Sequence, residues 1–422
     1  MSNGIPERHL MTRQLSLRDI AFDLGTGSTE LGVGVGRFLG TLERPPVLLG
    51  LGEPTHGVEA FPQLRNQLLA YLVEQQGYRA IALESDCLAA VVVDDYVRTG
   101  AGDLDEVLAT GFSHGFGAAP ANRELVTWLR EHNAGRDPRD QVRFYGFDAP
   151  LEMAAAPSPR AALLGAHEYL REHLPAGRVP HDRDTLDALL GADADWSNPA
   201  AMYDAADSIG DTDNARALRL AADDIVARFE AHAPGLRQAS SDNDFERALM
   251  LARAAHGLLR YHAEMAKPGP ERFSLLTGLR DATMAENLLA IARVQAHHGP
   301  CLVFAQNAHL RRTESAMRFG GMDVHWWSAG ALTAPVLDSG YAFIALDCDR
   351  WVDNPAVQRQ PHDFQAVLGD ATASRALFPA RPLAAALAGQ VVSARVSDDQ
   401  RYAPFDPAGL DGADAIVLLE SI

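Results

Sequence analysis

Six short apolar runs punctuate the chain, at 47–52, 80–83, 142–147, 301–305, 341–346 and 415–419, each followed by polar or turn-forming residues. Apolar side chains at successive rather than alternate positions predict strands buried on both faces, as in a parallel sheet. Between several of these runs the period changes. Leu64, Leu68 and Leu72, with Leu69 and Tyr71, line one face of a helix predicted to end near Gly77. Leu125, Trp128 and Leu129 do the same ahead of Gly135. Strand–helix alternation predicts the α/β class, with a mostly parallel central sheet flanked by helices. The stretch 158–267 breaks the alternation. It holds Ala-, Leu-, Asp- and Arg-rich periodic runs, such as 212–231 and 243–266, and no convincing strand. It is predicted to be an inserted all-helical lobe over the cleft, hinged at Ala154 to Pro159 and at Lys267-Pro268-Gly269-Pro270. The chain then divides into 1–155, the first part of the α/β core; 156–267, the lobe; and 268–422, the second part of the core.

The strand ends carry the candidate chemistry, because ligands of open α/β sheets sit at the carboxyl ends of strands. The first run leads directly into Gly52-Glu53-Pro54-Thr55-His56-Gly57, a carboxylate and an imidazole three residues apart on a turn. A carboxylate beside a histidine fixes its tautomer and raises its basicity, as general-base catalysis requires; the plainer alternative is a polar turn capping the next helix. Glu84 follows the second strand and Asp148 the third, and Gln306, Asn307 and His309 follow the fourth. All are placed to converge on one rim, and that shared position favours a site over isolated structural roles.

Two competing motifs fail on context. Gly111-Phe112-Ser113-His114-Gly115 fits the G-x-S-x-G nucleophile elbow, which needs a strand before and a helix after. Here 104–110 reads as helix and 117–120 as loop, so a Gly-rich active-site loop carrying His114 is the better reading. His167 and His173 lie six apart rather than four, so they face different sides of a helix and are expected to be exposed histidines, not zinc ligands.

Composition narrows the function. A net charge of −19 without a Lys/Arg cluster argues against nucleic acid and anionic membranes as partners. No run reaches the roughly 18 to 20 apolar residues of a membrane span. Residues 1–17 show no signal-peptide core. Cys87, Cys301 and Cys348 lie in or beside apolar stretches without a C-x-x-C pair, which suits buried, reduced thiols in a cytoplasmic protein and gives no support for a metal site.

The motif at 52–57, then Arg65, Glu84, Arg280-Asp281 with Met284-Ala285-Glu286-Asn287, and Asn307-Ala308-His309 together resemble the erythromycin esterase family over about residues 45 to 345. The resemblance implies hydrolysis of a macrolide lactone or related ester by histidine-activated water, with no serine nucleophile and no cofactor or metal. It implies His56 as general base, Glu53 and Glu84 as supporting carboxylates, and Arg65 and His309 beside the developing oxyanion. Gln306, Asn307, Asp148, His114 and Arg280 complete the set as expected substrate-binding residues. The chain departs from the family's A-H-N-A-H pattern in having Gln306 at the first histidine, and glutamine cannot gain a proton near neutral pH. The family also includes proteins linked by name to succinoglycan synthesis. The alternative is therefore a biosynthetic enzyme that uses the same His/Glu site for non-hydrolytic proton transfer, with a non-catalytic binding protein behind it. Neither the substrate nor the oligomeric state is legible.

Overall fold

The computed structural model describes residues 16–152, 155–399 and 401–422. The reading of the N-terminus falls almost wholly outside them, as does Ala154 of the first hinge. Ten strands are described: β1 (Phe22–Asp23), β2 (Leu48–Glu53), β3 (Ala80–Asp86), β4 (Arg143–Asp148), β5 (Cys301–Gln306), β6 (Glu314–Phe319), β7 (Met322–Trp327), β8 (Tyr341–Arg350), β9 (Arg375–Pro379) and β10 (Ala415–Ser421). Eight form one sheet in the order β1-β9-β10-β8-β2-β5-β3-β4, and β6 and β7 form a separate hairpin. Six strands, β10, β8, β2, β5, β3 and β4, are parallel neighbours; β9 joins β10 antiparallel and β1 joins β9 antiparallel.

These six parallel strands are the six apolar runs of the sequence, each carried further at its carboxyl end into polar residues. Successive side chains of a strand point to opposite faces, and both faces are covered. Leu49, Leu51, Ile81, Leu83 and Phe304 face one apolar layer, closed by helices Ala60–Gln75 and Ala90–Thr99. Leu48, Ala80, Val303 and Phe343 face the other, closed by helix Arg272–Gln295.

Between β4 and β5 the named elements are all helical. Helices Arg160–His173, Asp213–Ala239 and Asp242–Met265 pack around their own apolar cluster, which includes Leu163, Leu170, Leu218, Phe229 and Phe245. A smaller cluster of Ala149, Leu151, Leu258, Tyr261 and Leu276 joins these helices to the chain just beyond β4. Among the described residues, no helix is long and apolar enough to cross a membrane. The three cysteines are buried and free. His167 corrects an expectation: it is 2% exposed, with Nε2 3.2 Å from the His181 carbonyl, because its helix face turns into the lobe core.

Candidate active site

The sheet register brings the strand tips together. Glu53 at the end of β2 lies opposite Gln306 at the end of β5. β3 and β4 slip register between Leu83 and Asp86, and an irregularity of this kind re-aims a side chain; Glu84 sits within it. Close approach of β2 and β5 depends on Gly52, where a Cβ would stand 2.4 Å from Asn307 Oδ1 and 3.0 Å from its Cα. The turn after Glu53 closes at Gly57, whose φ of +80° suits glycine.

Glu84 is the hub. Its Oε1 lies 3.0 Å from Arg280 Nη2, 3.3 Å from His309 Nε2 and 3.6 Å from His56 Nε2, while Oε2 accepts the Gln306 backbone N–H at 2.8 Å. His56 Nδ1 is 2.8 Å from Glu53 Oε1. His309 Nδ1 is 2.8 Å from Asp281 Oδ1, and the other oxygen of Asp281 accepts the Ala329 N–H at 2.8 Å. Arg280 forks onto Asp148 at 2.9 and 2.6 Å, and His114 Nε2 approaches the same carboxylate at 3.2 Å. Around this array only part is open. The His56 side chain is 34% exposed and that of Arg280 23% exposed, Gln306 is half-buried, and Glu53, Glu84 and His309 lie beneath them.

The family model described as Erythromycin esterase matches residues 73–408. The chain belongs to the erythromycin esterase family. The match begins beyond Glu53, His56 and Arg65, so those three rest on the geometry above and on the earlier resemblance. Erythromycin esterase type II of Escherichia coli is 27% identical over 103 residues, 24% of this chain and 23% of that protein. The match thus spans about a quarter of that relative. Three solved structures share the fold. A Bacillus cereus protein has a TM-score of 0.70 at 18% identity, covering 96% of both chains. A succinoglycan biosynthesis protein has 0.65 at 16%, covering 96% of this chain and 95% of that one. A mutant of erythromycin esterase EreC in its open conformation has 0.63 at 21%, covering 94% and 95%.

Within this member of the erythromycin esterase family, three expected contacts are corrected. Arg65 is 1% exposed: its guanidinium bonds Asn66 Oδ1 at 3.1 and 2.7 Å and stacks over Phe304, so it cannot reach a bound carbonyl and acts on Glu53 only through its charge. Asp148 is sealed beneath Arg280 and His114, with no exposed surface of its own. Asn307 is also sealed, donating to the Leu346 carbonyl at 2.9 Å and packing against Gly52, so its role is to hold strands together. Ser113 takes the place that context assigns it: it follows helix Leu104–Thr110, is buried, and its Oγ accepts the Asp86 N–H at 2.9 Å.

Two residues of the array escaped sequence reasoning. Asp281 lay within the family-like Arg280-Asp281 pair, but adjacent helix positions diverge by about 100°, and only the fold shows that it holds His309. Phe116 lies tilted against His56 at 5.1 Å and edge-on to His114 at 5.5 Å between centroids, from the loop after Ser113. A Gly-flanked aromatic in a loop carried no distinguishing signal.

The electrostatics favour charged rings. Burial alone would lower His56, but the Glu84 charge and the hydrogen bonds to Glu53 and Glu84 outweigh it and push the ring up to about 10. His309 is likewise pushed up to about 10, burial being overcome by Asp281 and Glu84. Burial opposes ionisation of Glu84 as well, yet the two imidazoliums hold it well below the usual carboxylate range. Glu53 goes the other way: burial pushes it up, against the His56 hydrogen bond. Among the described residues no group of three or more metal-ligating side chains is arranged to hold an ion.

Proposed function

We propose that this protein hydrolyses a lactone or related ester of a small molecule, with His56 as the residue that moves the proton. The observation that carries the reading is the posture of His56. Nδ1 is anchored on Glu53, Nε2 faces the Glu84 hub at 3.6 Å, and the side chain as a whole is 34% exposed. Once the Nε2 proton is lost, which Glu84 and Glu53 defer to about pH 10, the neutral ring gives Nδ1–H to Glu53 and presents Nε2 as a base. Bound water gives its proton to Nε2 as its oxygen bonds to the ester carbonyl carbon. The C–O bond to the alkoxide then breaks, and the leaving oxygen takes the proton back from His56. General-base assistance of this kind is worth roughly 10²–10⁴-fold in rate.

Oxyanion stabilisation falls to the groups that remain accessible, the Gln306 side-chain amide and the Arg280 guanidinium. The buried His309 imidazolium contributes its charge, since carboxylates occupy both of its nitrogens. Arg280 and Gln306 are also the groups placed to orient substrate, and His114 holds the loop that carries Phe116. We take the helical lobe and the 111–119 loop to shape specificity. Division into 1–155, 156–267 and 268–422 follows from the same reading.

The test is incubation with macrolides and simpler lactones, read by mass. Products should gain one water, with solvent oxygen-18 in the acid, and His56→Ala should abolish the gain while remaining folded. Full turnover by His56→Ala refutes the assignment. The second reading, non-hydrolytic proton transfer in biosynthesis, is favoured by Gln306, which gives the site one imidazole fewer than the family pattern. It is recognised by a product of unchanged mass.

A further inference from the structure

A second cavity, of about 700 Å³, lies away from the residues that meet at the strand tips, between β4, helix Ala90–Thr99 and helices Asp213–Ala239, Asp242–Met265 and Arg272–Gln295. Phe229, Leu249, Met250, Ile291 and Val294 give it apolar walls, and His297 and His298 stand at its border. Five arginines line it, and they differ in one respect. Arg143 is forked onto Asp94, Arg237 binds Asp242 and Glu246, and Arg247 binds Asp95 and Asp94. Arg253 and Arg293 have no carboxylate within 4.0 Å among the described residues; Arg293 donates only to the Leu289 carbonyl of its own helix, at 3.1 Å.

The placement of this pair is specific. Consecutive helices Asp242–Met265 and Arg272–Gln295 are joined by a short turn and pack against each other. Across their seam Arg260 meets Glu286 at 3.9 Å. Seven residues along each helix, two turns away, the corresponding positions are Arg253 and Arg293, so a like-charge pair replaces the ion pair. Arg253 is half-buried; burial and the nearby Arg293 charge lower its guanidinium pKa, only partly offset by Glu246, Glu286 and Glu230 at longer range. The chain has 56 acidic residues against 37 basic ones, so carboxylates are not scarce. Two guanidiniums with no carboxylate in direct contact, Arg253 half-buried and Arg293 exposed, stand beside apolar walls, with Glu230 and Glu246 also on the lining and already bearing on Arg253 at longer range; guanidinium forks of this kind bind a planar anionic group in bidentate fashion. The volume is within the range of small-molecule sites.

We propose that this cavity binds a small amphipathic anion, with its charged head on Arg253 and Arg293 and its apolar body against Leu249, Met250, Ile291 and Val294. The site is independent of the esterase reading. The experiment titrates the full chain with 8-anilinonaphthalene-1-sulfonate, followed by fluorescence, and competes it with decanoate, decanol and inorganic phosphate. One saturable site is expected, displaced by decanoate and not by decanol or phosphate at equal concentration. The double variant Arg253→Met/Arg293→Met keeps the aliphatic stems and removes the repulsion, so its melting temperature should not fall, while dye affinity should drop at least tenfold. The proposal is overturned by an absence of saturable binding, by displacement with decanol or phosphate as effective as with decanoate, or by unchanged affinity in the double variant. Should the double variant fail to fold, the competition series on the unmodified chain decides alone.

Discussion

Replacing Glu84 with glutamine is the sharpest perturbation available, because one oxygen of Glu84 serves three cations at 3.0, 3.3 and 3.6 Å. At an effective dielectric of about 20, a unit charge 3.6 Å away is worth about 4.6 kcal/mol. At 1.36 kcal/mol per pKa unit this is about 3 units. That is enough to return His56 from about 10 to near its ordinary 6.5. His309 should fall less, since the Asp281 charge outweighs that of Glu84 in raising it, whereas Glu84 is the leading charge on His56. Breaking a buried ion cluster by removing one partner typically costs about 3–5 kcal/mol of stability. The linkage sign follows from the direction of the shift. A histidine whose folded pKa is raised stabilises the protein fully below its unfolded value of about 6.5. That contribution disappears as pH rises through about 10 in the unmodified protein and closer to neutrality in Glu84→Gln. Histidine side-chain NMR across pH 6–11 reads the titration, and denaturant unfolding at matched pH reads the stability. If His56 still titrates near 10 in Glu84→Gln, the hub account of the site is wrong.

In the unmodified protein, kcat/KM for the proposed hydrolysis should climb about tenfold per pH unit from neutrality toward about 10, as His56 loses its Nε2 proton; a profile that falls over that window would assign His56 the role of acid instead. Asp281→Asn removes the charge beside His309 and leaves one amide oxygen where two carboxylate oxygens served His309 and the Ala329 N–H; kcat should drop, and His309 should titrate at lower pH by NMR, a shift that a merely structural role would not produce. Gly52→Ala places a methyl 2.4 Å from Asn307 Oδ1 and 2.9 Å from Phe343, and overpacking of this kind costs about 1–3 kcal/mol, measurable by urea unfolding. The unmodified protein should be inert to fluorophosphonate probes and Ser113→Ala should retain turnover, because the Ser113 hydroxyl is buried and accepts the Asp86 N–H.

The parallel core was legible because burial on both faces leaves no alternative to continuous apolar runs. The same rule explains what was missed. β9 is five residues bounded by Arg375 and Pro379 at an antiparallel margin, and β1 is two residues with partial exposure. In the β6–β7 hairpin, β7 buries only Val324 and Trp326. Short, half-exposed strands carry little apolar signal, and their pairing is decided by distant partners. Strand ends were also set too early, since residues such as Glu84 and Asp347 continue the ladder with their charge satisfied by buried partners.

Site composition was readable, but site depth was not. The carboxyl-edge rule placed Glu53, His56, Glu84, Gln306 and His309 together without knowing which would face solvent. Depth depends on what packs on each side chain: Phe304 and the Ala121 carbonyl over Arg65, Arg280 and His114 over Asp148, and Phe116 against His56. The state of protonation followed the same line. A histidine with one carboxylate neighbour reads as a base near neutrality, whereas a histidine between two carboxylates reads as a cation. Sequence spacing revealed the Glu53 partner three residues away, and the carboxyl-edge rule and the family resemblance offered Glu84; the fold, with its β3 register slip, shows that Glu84 stands 3.6 Å from Nε2. The difference between those two states is the direction of the pH profile, so the chemistry of His56 is fixed by a strand irregularity that no local pattern around residue 56 contains.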